Sequence, residues 1–344
     1  MMKAVCLEEP GKISLVELPE PKPGPGEVAV RMEYVGYCGS DLTSFRGLNP
    51  LISYPRVLGH EISGTISALG DGVSALAVGQ SVTILPYFNC GRCHACRLGR
   101  PNACKDNRTM GVQREGAMAS IIVVPAGKII PVEGMRQRDL ALIEPLAVGF
   151  HAVRRSELSA GETVVILGCG VIGLGALLGA VRRGSRVIAM DLSADKLAVA
   201  KVLGATDTID ASREDVLAHV LELTSGDGPQ VVIEAVGADA TFRQAIDLVA
   251  SCGRVVYVGY AKNKIAYDTK FFLLKEMDIR GSRGSEIADF HDVIGYLKQH
   301  RDAGDRIVSR VVPIEEAGAA MQAWDKNPGG FTKIVVRIEA KEDA

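Results

Sequence analysis

Four cysteines within fifteen residues are the strongest chemical signal in the 344-residue sequence. They follow the pattern C-x2-C-x2-C-x7-C in the segment NCGRCHACRLGRPNAC. Four thiolates on one short loop suit a closed tetrahedral zinc, whereas the ferredoxin-type iron–sulfur run closes with a shorter final spacing and a following proline. We therefore predict a structural zinc site formed by Cys90, Cys93, Cys96 and Cys104.

A second set of ligand-type side chains is spread through the first half of the sequence. Cys38 lies in GYCGSD, His60 and Glu61 lie in VLGHEISG, and Glu144 lies in LIEPLAV. Cysteine, histidine and a carboxylate form the ligand set of a catalytic zinc, which keeps one position open for water or substrate. We predict a second zinc site from these residues. The spacing alone leaves open the alternative that they are ordinary core or surface side chains.

A glycine-rich turn indicates a dinucleotide site. The segment GCGVIG directly follows the apolar run TVVIL and precedes a helical stretch rich in Ala, Leu and Gly. Gly168 permits the tight turn, Gly170 lets the backbone approach a pyrophosphate, and Gly173 permits close packing of helix on strand. The N-terminus of the helix, with Val171 and Ile172 in its first turn, then offers unpaired N–H groups to the phosphates.

The predicted strand after this turn, RVIAMD, ends at Asp191, which lies 18 positions after Gly173. A spacing of about 20 is expected for the acid that binds the ribose. An Asp there accepts hydrogen bonds from the 2′-hydroxyl and repels a 2′-phosphate, which favours NAD over NADP. The alternative role for Asp191 is a helix cap, for which Ser193 is equally suited. Val236 and Gly259, at the ends of the runs VVIEAVG and RVVYVGY, are assigned to the same cofactor.

The elements that must position these residues change character near residue 140. Strand-like runs separated by Pro and Gly come first, among them AVCLEE, ISLVELP, EVAVRMEYVG and SVTILPY. Strands then alternate with helices, as in βαβ units on a parallel sheet, before a mixed tail with the strand-like runs RIVSRVVP and TKIVVRIE. We predict an α/β protein with a β-rich first domain over 1–152, containing the zinc lobe 88–106, an inserted doubly wound domain over 153–288, and a return to the first domain over 289–344.

Composition excludes several classes of partner. The 39 Lys and Arg nearly balance the 41 Asp and Glu, giving a net charge of −2, so the basic face that nucleic acid requires is not expected. No stretch offers the roughly 18 unbroken apolar residues of a membrane span, and the start MMKAVCLEEPGK lacks the apolar core of a secretory signal. We predict a soluble cytoplasmic protein that binds neither nucleic acid nor membrane.

The motifs GYCGSDL, GHEISG, the four-cysteine lobe, LIEPLAV with HAVRR, and GCGVIG occur in this order. Together they resemble the zinc-dependent medium-chain alcohol/polyol dehydrogenases over essentially the whole chain. Within this family the chain is most similar to the branch of sorbitol, threonine and sugar-acid dehydrogenases. SYPRVLGHE and LIEP with HAVRR are most similar to L-galactonate/L-gulonate 5-dehydrogenases and to galactitol- or altritol-type polyol dehydrogenases. The resemblance implies a GroES-like catalytic domain, an inserted Rossmann domain, two zinc ions per subunit, NAD, and a homodimer or homotetramer.

The resemblance also implies roles for the residues of the second predicted zinc site. Cys38 and His60 match the catalytic ligands, and Glu61 matches the adjacent acid that is a ligand in the sorbitol-type members. Glu144 matches a carboxylate that approaches or joins the metal in some states, so which carboxylate binds at rest stays open. Ser40 matches the hydroxyl that passes the substrate proton towards solvent.

Two further positions bear on the implied reaction. Thr43 stands where many relatives have a proton-relaying histidine, and Arg283 in GSRG resembles a strand-end residue near the nicotinamide. The implied reaction oxidises a secondary hydroxyl of a polyol or sugar acid, of L-gulonate/L-galactonate or galactitol/altritol type, with hydride transfer to NAD. The alternatives are an L-threonine 3-dehydrogenase and a non-catalytic NAD-binding protein of the same fold.

Overall fold

The computed structural model describes residues 1–339, which fold into two compact units. The first unit is built by Met1–Glu144 together with the chain from Ile294 onward, and the second by Pro145–Val293. The predicted boundaries after 152 and 288 fall inside helices close to these points. The domain ranges themselves stay a prediction, and the last five residues of the segment 289–344 lie outside the described residues.

The secondary structure follows the predicted change from strands to alternating strands and helices. The strands of residues 1–339 are β1 (Met2–Glu9), β2 (Lys12–Leu18), β3 (Glu27–Gly36), β4 (Arg56–Val57), β5 (Glu61–Leu69), β6 (Ser81–Ile84), β7 (Tyr87–Phe88), β8 (Arg108–Thr109), β9 (Ile121–Pro125), β10 (Ile129–Pro131), β11 (Thr163–Leu167), β12 (Arg186–Asp191), β13 (Asp207–Asp210), β14 (Val231–Glu234), β15 (Arg254–Tyr257), β16 (Asp278–Gly281), β17 (Arg310–Pro313) and β18 (Ile334–Arg337). The α-helices of the same residues are α1 (Gly39–Phe45), α2 (His94–Arg97), α3 (Gln137–Leu140), α4 (Ile143–Ser156), α5 (Val171–Arg182), α6 (Ala194–Val202), α7 (Val216–Leu223), α8 (Asp239–Leu248), α9 (Lys270–Lys275), α10 (Ile287–Gln299), α11 (Ala303–Ile307) and α12 (Ala317–Lys326).

Strands from both ends of the chain build the main sheet of the first unit. Its order is β10-β6-β5-β3-β18-β17, and β9 also pairs with β3. A three-stranded sheet of order β2-β1-β4 and the hairpin-like pair β7-β8 complete the β structure. The core of this unit includes the fully buried side chains of Met32, Tyr37, Leu58, Ile62 and Met118. The sheets therefore bring the first and last parts of the sequence together around one core.

The run RIVSRVVP was expected to be strand-like throughout, and this expectation is wrong for its first residues. Helix α11 extends to Ile307, and β17 begins only at Arg310. Ile307 is fully buried on the helix, and a Cβ at Gly304 would lie 2.2 Å from Oδ1 of Asp139. Close packing of this short helix outweighs the strand propensity of Ile307, because propensity is a weak preference that tertiary contacts override.

The second unit is a six-stranded parallel sheet of order β13-β12-β11-β14-β15-β16. The strand β11 is buried at four of its five positions, as expected for a strand covered on both faces. The chain passes from β11 to β12 on one side and later to β14 on the other, which places a topological switch point at β11. This is the predicted Rossmann arrangement, and it is confirmed. None of the helices in residues 1–339 is long and apolar enough to cross a membrane.

Candidate functional site

The four predicted cysteines lie together in a lobe framed by β7 and β8, which pair antiparallel. Their sulfur atoms all lie within 4.8 Å of one another. The Sγ atoms of Cys93 and Cys96 are 3.5 Å apart, as are those of Cys90 and Cys104. All four are free thiols rather than disulfides. Zinc–sulfur bonds of about 2.3 Å in a tetrahedron place the sulfurs at close to these separations, so the donor set fits a zinc ion.

Backbone N–H groups of the lobe favour the thiolate form that zinc binds. The N–H of Cys90 donates to Sγ of Cys104 at 3.3 Å. Hydrogen bonds from the backbone of Cys96 and Lys105 lower the pKa of Cys93 to about 6, whereas burial and the neighbouring thiols raise the pKa of Cys104 to about 11. Because a metal ligand must be deprotonated, these donors prepare the lobe for the ion.

Cys38, His60 and Glu61 form a second group whose ligand atoms lie within 4.8 Å of one another. Cys38 lies between β3 and α1, His60 directly precedes β5, and Glu61 is the first residue of that strand. In the register of the sheet Glu61 pairs with Gly36, and a Cβ at Gly36 would be only 1.9 Å from Oε2 of Glu61. A glycine is therefore required at position 36 to make room for the carboxylate. The structure thus brings together three of the predicted ligands from sequence positions that spacing alone could not connect.

The environment of this second group is suited to a metal. His60 is 5% exposed, and its Nδ1 atom has no hydrogen-bond partner in the described part of the chain. A buried imidazole nitrogen without a partner is costly unless it serves as a ligand. Burial lowers the pKa of His60, but the charges of Cys38, Asp41 and Glu144 more than offset this and raise it well above its usual value. The negative charge that raises this pKa would equally attract a cation.

Lys333 contacts this group and was not predicted from the sequence. Its Nζ atom donates to both carboxylate oxygens of Glu61 and, at 2.8 Å, to the carbonyl oxygen of Tyr37. Lys333 is 2% exposed and Glu61 is fully buried, so each compensates the charge of the other. Burial raises the pKa of Glu61 to about 7, although Lys333 acts in the opposite direction.

Glu144 has a different partner from Glu61. It lies in the first turn of α4, is 4% exposed, and accepts a hydrogen bond from the hydroxyl of Tyr87. Glu144 is not among the residues whose ligand atoms lie within 4.8 Å of one another. Of the two carboxylates left open by the sequence, Glu61 is therefore the one grouped with Cys38 and His60, and which one binds the metal at rest stays a prediction.

The hydroxyl groups of α1 differ in what they contact. The Oγ atom of Ser40 is buried and has no hydrogen-bond partner in residues 1–339. Thr43 donates to the carbonyl oxygen of Gly39 at 2.8 Å, one helical turn earlier. Ser40 therefore keeps its hydrogen-bonding capacity for a ligand, whereas the Thr43 proton is used within the helix.

The predicted glycine turn joins β11 to α5 at the switch point. Gly168 has φ of +96°, a conformation that favours glycine, and a Cβ at Gly173 would lie 1.8 Å from the carbonyl oxygen of Gly168. Gly170 is the N-cap of α5, and a Cβ there would meet no described atom within 4 Å. Gly168 and Gly173 are thus required by the fold. Gly170 instead leaves open space at the helix N-terminus beside Val171 and Ile172, as a bound pyrophosphate requires.

Asp191 ends β12 beside the glycine turn. Its Oδ2 atom accepts the N–H of Cys169 at 2.7 Å, and its Oδ1 atom accepts the N–H of Ser193 at 2.9 Å. Ser193 itself caps α6 by accepting the N–H of Lys196. The alternative role of Asp191 as the cap of that helix is thus filled by Ser193, and the carboxylate is held against the turn of GCGVIG.

Glu234 fixes the neighbouring strand ends and was also not predicted. It is fully buried at the end of β14, and its Oε1 atom accepts the N–H groups of Val236 at 2.9 Å and Gly237 at 2.7 Å. A Cβ at Gly259 would lie 2.3 Å from its Oε2 atom. Val236 and Gly259 therefore lie, like the glycine turn, at the carboxyl-terminal ends of the strands, and Arg283 follows β16 at the same end. Ligands of open parallel sheets bind at the carboxyl-terminal ends of the strands, next to the switch point.

Comparison with known proteins assigns the family. Residues 24–134 match the "Alcohol dehydrogenase GroES-like domain" and residues 171–299 match "Zinc-binding dehydrogenase". The L-galactonate-5-dehydrogenase of Escherichia coli (strain K12) is 33% identical over 91% of this chain and 92% of its own length. The chain belongs to the zinc-type medium-chain alcohol/polyol dehydrogenase family, with a GroES-like unit and a Rossmann unit.

Solved structures of this fold contain either nicotinamide cofactor. A zinc-binding dehydrogenase from Sinorhizobium meliloti 1021, bound to NADP, has a TM-score of 0.90 and 33% identity over 98% of this chain and 99% of its own. The alcohol dehydrogenase RspB from E. coli CFT073, complexed with NADH, has a TM-score of 0.90 and 28% identity over the same shares of the two chains. The family membership makes this protein an oxidoreductase and leaves the choice between the two cofactors to its own residues.

Proposed function

We propose that this protein oxidises a secondary hydroxyl of a polyol or sugar acid with NAD, using zinc held by Cys38, His60 and Glu61. The observation that carries the proposal is the convergence of these three ligand types within 4.8 Å. Three protein ligands leave one position of a tetrahedral zinc open, which is the arrangement of a catalytic rather than a structural site. The four-cysteine lobe supplies the complete ligand set of a second, structural zinc.

At the site of Cys38, His60 and Glu61, different residues of the protein have different roles. Zinc bound there acts as a Lewis acid that makes a coordinated hydroxyl more acidic. Ser40 accepts the proton of the substrate hydroxyl, since its buried Oγ atom is not engaged by the described residues. Thr43 donates its proton to the carbonyl oxygen of Gly39, so Ser40 is the hydroxyl of α1 that is available to the substrate. A bound nicotinamide cofactor would accept the hydride, and the role of the protein is to position that cofactor.

Asp191 supports NAD as the cofactor. Its carboxylate is fixed by the N–H groups of Cys169 and Ser193 at the glycine turn, where the ribose of a bound dinucleotide would lie. A carboxylate accepts hydrogen bonds from a 2′-hydroxyl and repels a 2′-phosphate. We expect kcat/KM for NAD to exceed that for NADP by about tenfold or more, equivalent to about 1.4 kcal/mol, and the two initial rates measure it.

The substrate class is supported by the similarity to L-galactonate-5-dehydrogenase. The test is the initial rate of NADH formation with L-galactonate, L-gulonate, galactitol, D-altritol, D-sorbitol and L-threonine. A preference for a sugar acid or polyol supports the proposal. A preference for L-threonine would replace the substrate class while leaving the reaction type intact. Absence of turnover with every compound, in protein that binds zinc at Cys38, would contradict the proposed substrates.

The second unit presents a surface suited to self-association as a homodimer or homotetramer. Strand β16 is at the edge of the six-stranded sheet, and within residues 1–339 it pairs only with β15. Ile279 on this strand is 43% exposed, and Leu273 and Leu274 on α9 are 82% and 70% exposed. An unpaired strand edge beside exposed apolar side chains is a template for pairing with another chain. We propose that a second copy of the protein pairs at β16.

A further inference from the structure

Tyr87 links the base of the four-cysteine lobe to Glu144, although in the sequence it is only the end of the run SVTILPY and has no predicted chemical role. Its hydroxyl donates a hydrogen bond to Oε1 of Glu144. Because Glu144 is 4% exposed, its carboxylate depends on protein donors rather than on water for its orientation. A neutral phenol that donates to a carboxylate holds that carboxylate in place without neutralising its charge.

The strand that carries Tyr87 is itself held firmly. The Phe88 ring has the guanidinium carbon of Arg114 at 4.0 Å and Nζ of Lys128 at 5.0 Å from its centroid. Nζ of Lys128 also donates to the carbonyl oxygen of Tyr87. In addition, β7 is paired with β8. With the backbone fixed by these contacts, the Tyr87 hydroxyl is pre-organised to receive Glu144.

The carboxylates of Glu61 and Glu144 are therefore held by different kinds of partner. Glu61 is bonded through both oxygens to the cation of Lys333 and is grouped with Cys38 and His60. Glu144 is bonded to the uncharged Tyr87 and lies outside that group. Without the phenol, a buried carboxylate that has lost its donor would move towards the nearest cation.

We propose that Tyr87 is a positioning residue that keeps Glu144 out of the coordination set of Cys38, His60 and Glu61. The open metal position is thereby reserved for the substrate. This inference rests on the proposed function of that site. Its consequence is that loss of the Tyr87 hydroxyl lets Glu144 compete with the substrate, so KM rises while the metal is held more tightly.

The test is Tyr87→Phe in the full chain loaded with Co²⁺, whose visible absorption depends on coordination geometry. The spectrum of the site of Cys38, His60 and Glu61 is obtained by subtraction. From the spectrum of each protein we subtract that of the same protein carrying Cys38→Ser, which keeps only the four-cysteine site. We expect Tyr87→Phe to shift the absorption bands, because the Glu144 carboxylate then takes the position otherwise open to solvent or substrate. We also expect it to slow metal release to a chelator about tenfold and to raise KM about tenfold, the size of one hydrogen bond to a charged group.

Two further variants separate this role from a structural one. Tyr296→Phe, on α10, removes one phenol hydroxyl but leaves the contact between Tyr87 and Glu144 in place, and we expect it to keep the parent spectrum. Glu144→Gln removes the competing charge, so adding Tyr87→Phe to it should change the spectrum no further. An unchanged spectrum and release rate in Tyr87→Phe would overturn the inference, as would a change that persists with Glu144→Gln. If the parent protein binds no Co²⁺ at Cys38, the proposed function falls as well, which distinguishes the two failures.

Discussion

Within the glycine turn, the fold requires a glycine at position 173, whereas cofactor binding explains the glycine at position 170. At Gly173 a Cβ would lie 1.8 Å from a backbone oxygen, whereas at Gly170 it would meet no described atom within 4 Å. Both positions carry the same residue type in one short motif, yet only one of them is constrained by the surrounding protein. The other is explained by what the protein binds.

We predict that Gly170→Ala folds normally but weakens NAD binding about tenfold or more, because the added methyl group occupies the approach to the helix N-terminus. Gly173→Ala, the matched change three residues further along the same motif, should instead lower the free energy of unfolding by about 3 kcal/mol through overpacking. Thermal unfolding and NAD titration measure the two effects. Equal losses of stability in both variants would contradict the assignment of Gly170 to the cofactor.

Residue types also set the limit of what the sequence could predict at the site. The cysteines and the pair His60-Glu61 are rare enough in their patterns to indicate metal sites. Lys333 carries no such signal, because a lysine at the start of the run TKIVVRIE looks like an exposed strand end. Only the sheet order, which places β18 beside β3, brings it to Glu61 from 272 positions away.

At the scale of elements, prediction succeeded where burial dictates the pattern. EVAVRMEYVG became β3 (Glu27–Gly36) and RVIAMD became β12 (Arg186–Asp191), since one or both faces of each strand are buried. SVTILPY was expected to form one strand, but β6 ends at Ile84 and β7 begins at Tyr87. Pro86 lies between them and has no N–H for the ladder. That break allows the short strand β7 to pair with β8 instead and to direct Tyr87 to Glu144.

The short helices α3 and α11 are joined by an ion-pair network that should make stability depend on pH. Asp305 accepts hydrogen bonds from Arg138 and from Arg136 at 3.1 Å, and these contacts lower the pKa of Asp305 below its usual value. A carboxylate whose pKa is depressed on folding stabilises the protein above its unfolded pKa, about 3.9. The contribution is lost as the pH falls through the folded value.

We therefore expect Asp305→Asn to lower the free energy of unfolding at pH 7 by about 0.5 kcal/mol, a small value because the pair is largely exposed. The deficit should shrink below about pH 4 and in high salt. Asp302→Asn is the control, since Asp302 forms no ion pair within residues 1–339. Urea unfolding at several pH values measures both variants, and a deficit for Asp305→Asn that is constant from pH 7 to about pH 3 would rule out the network as its cause.

For the whole molecule, we predict self-association through β16, the strand at one edge of the parallel sheet. Ile279→Lys places a charge on β16, which natural proteins use to prevent pairing of strand edges. We expect light scattering to give the mass of a dimer or tetramer for the parent protein and a dissociation constant at least about tenfold higher for the variant. Val78→Lys, at a 62% exposed apolar residue of the first unit, should leave the mass unchanged. Unaltered assembly in Ile279→Lys would place the interface elsewhere.

For the whole molecule we expect two chemically different zinc sites, of which one takes part in the oxidation. Zinc content per chain, measured for the parent and for Cys38→Ser together with the rate of NADH formation of each, distinguishes these sites. We predict two zinc ions in the parent and one in Cys38→Ser, with turnover reduced about a thousandfold and NAD binding retained. Cys252→Ser, at an exposed cysteine, should match the parent. A single zinc in the parent, or full turnover in Cys38→Ser, would show that Cys38 does not hold a catalytic zinc.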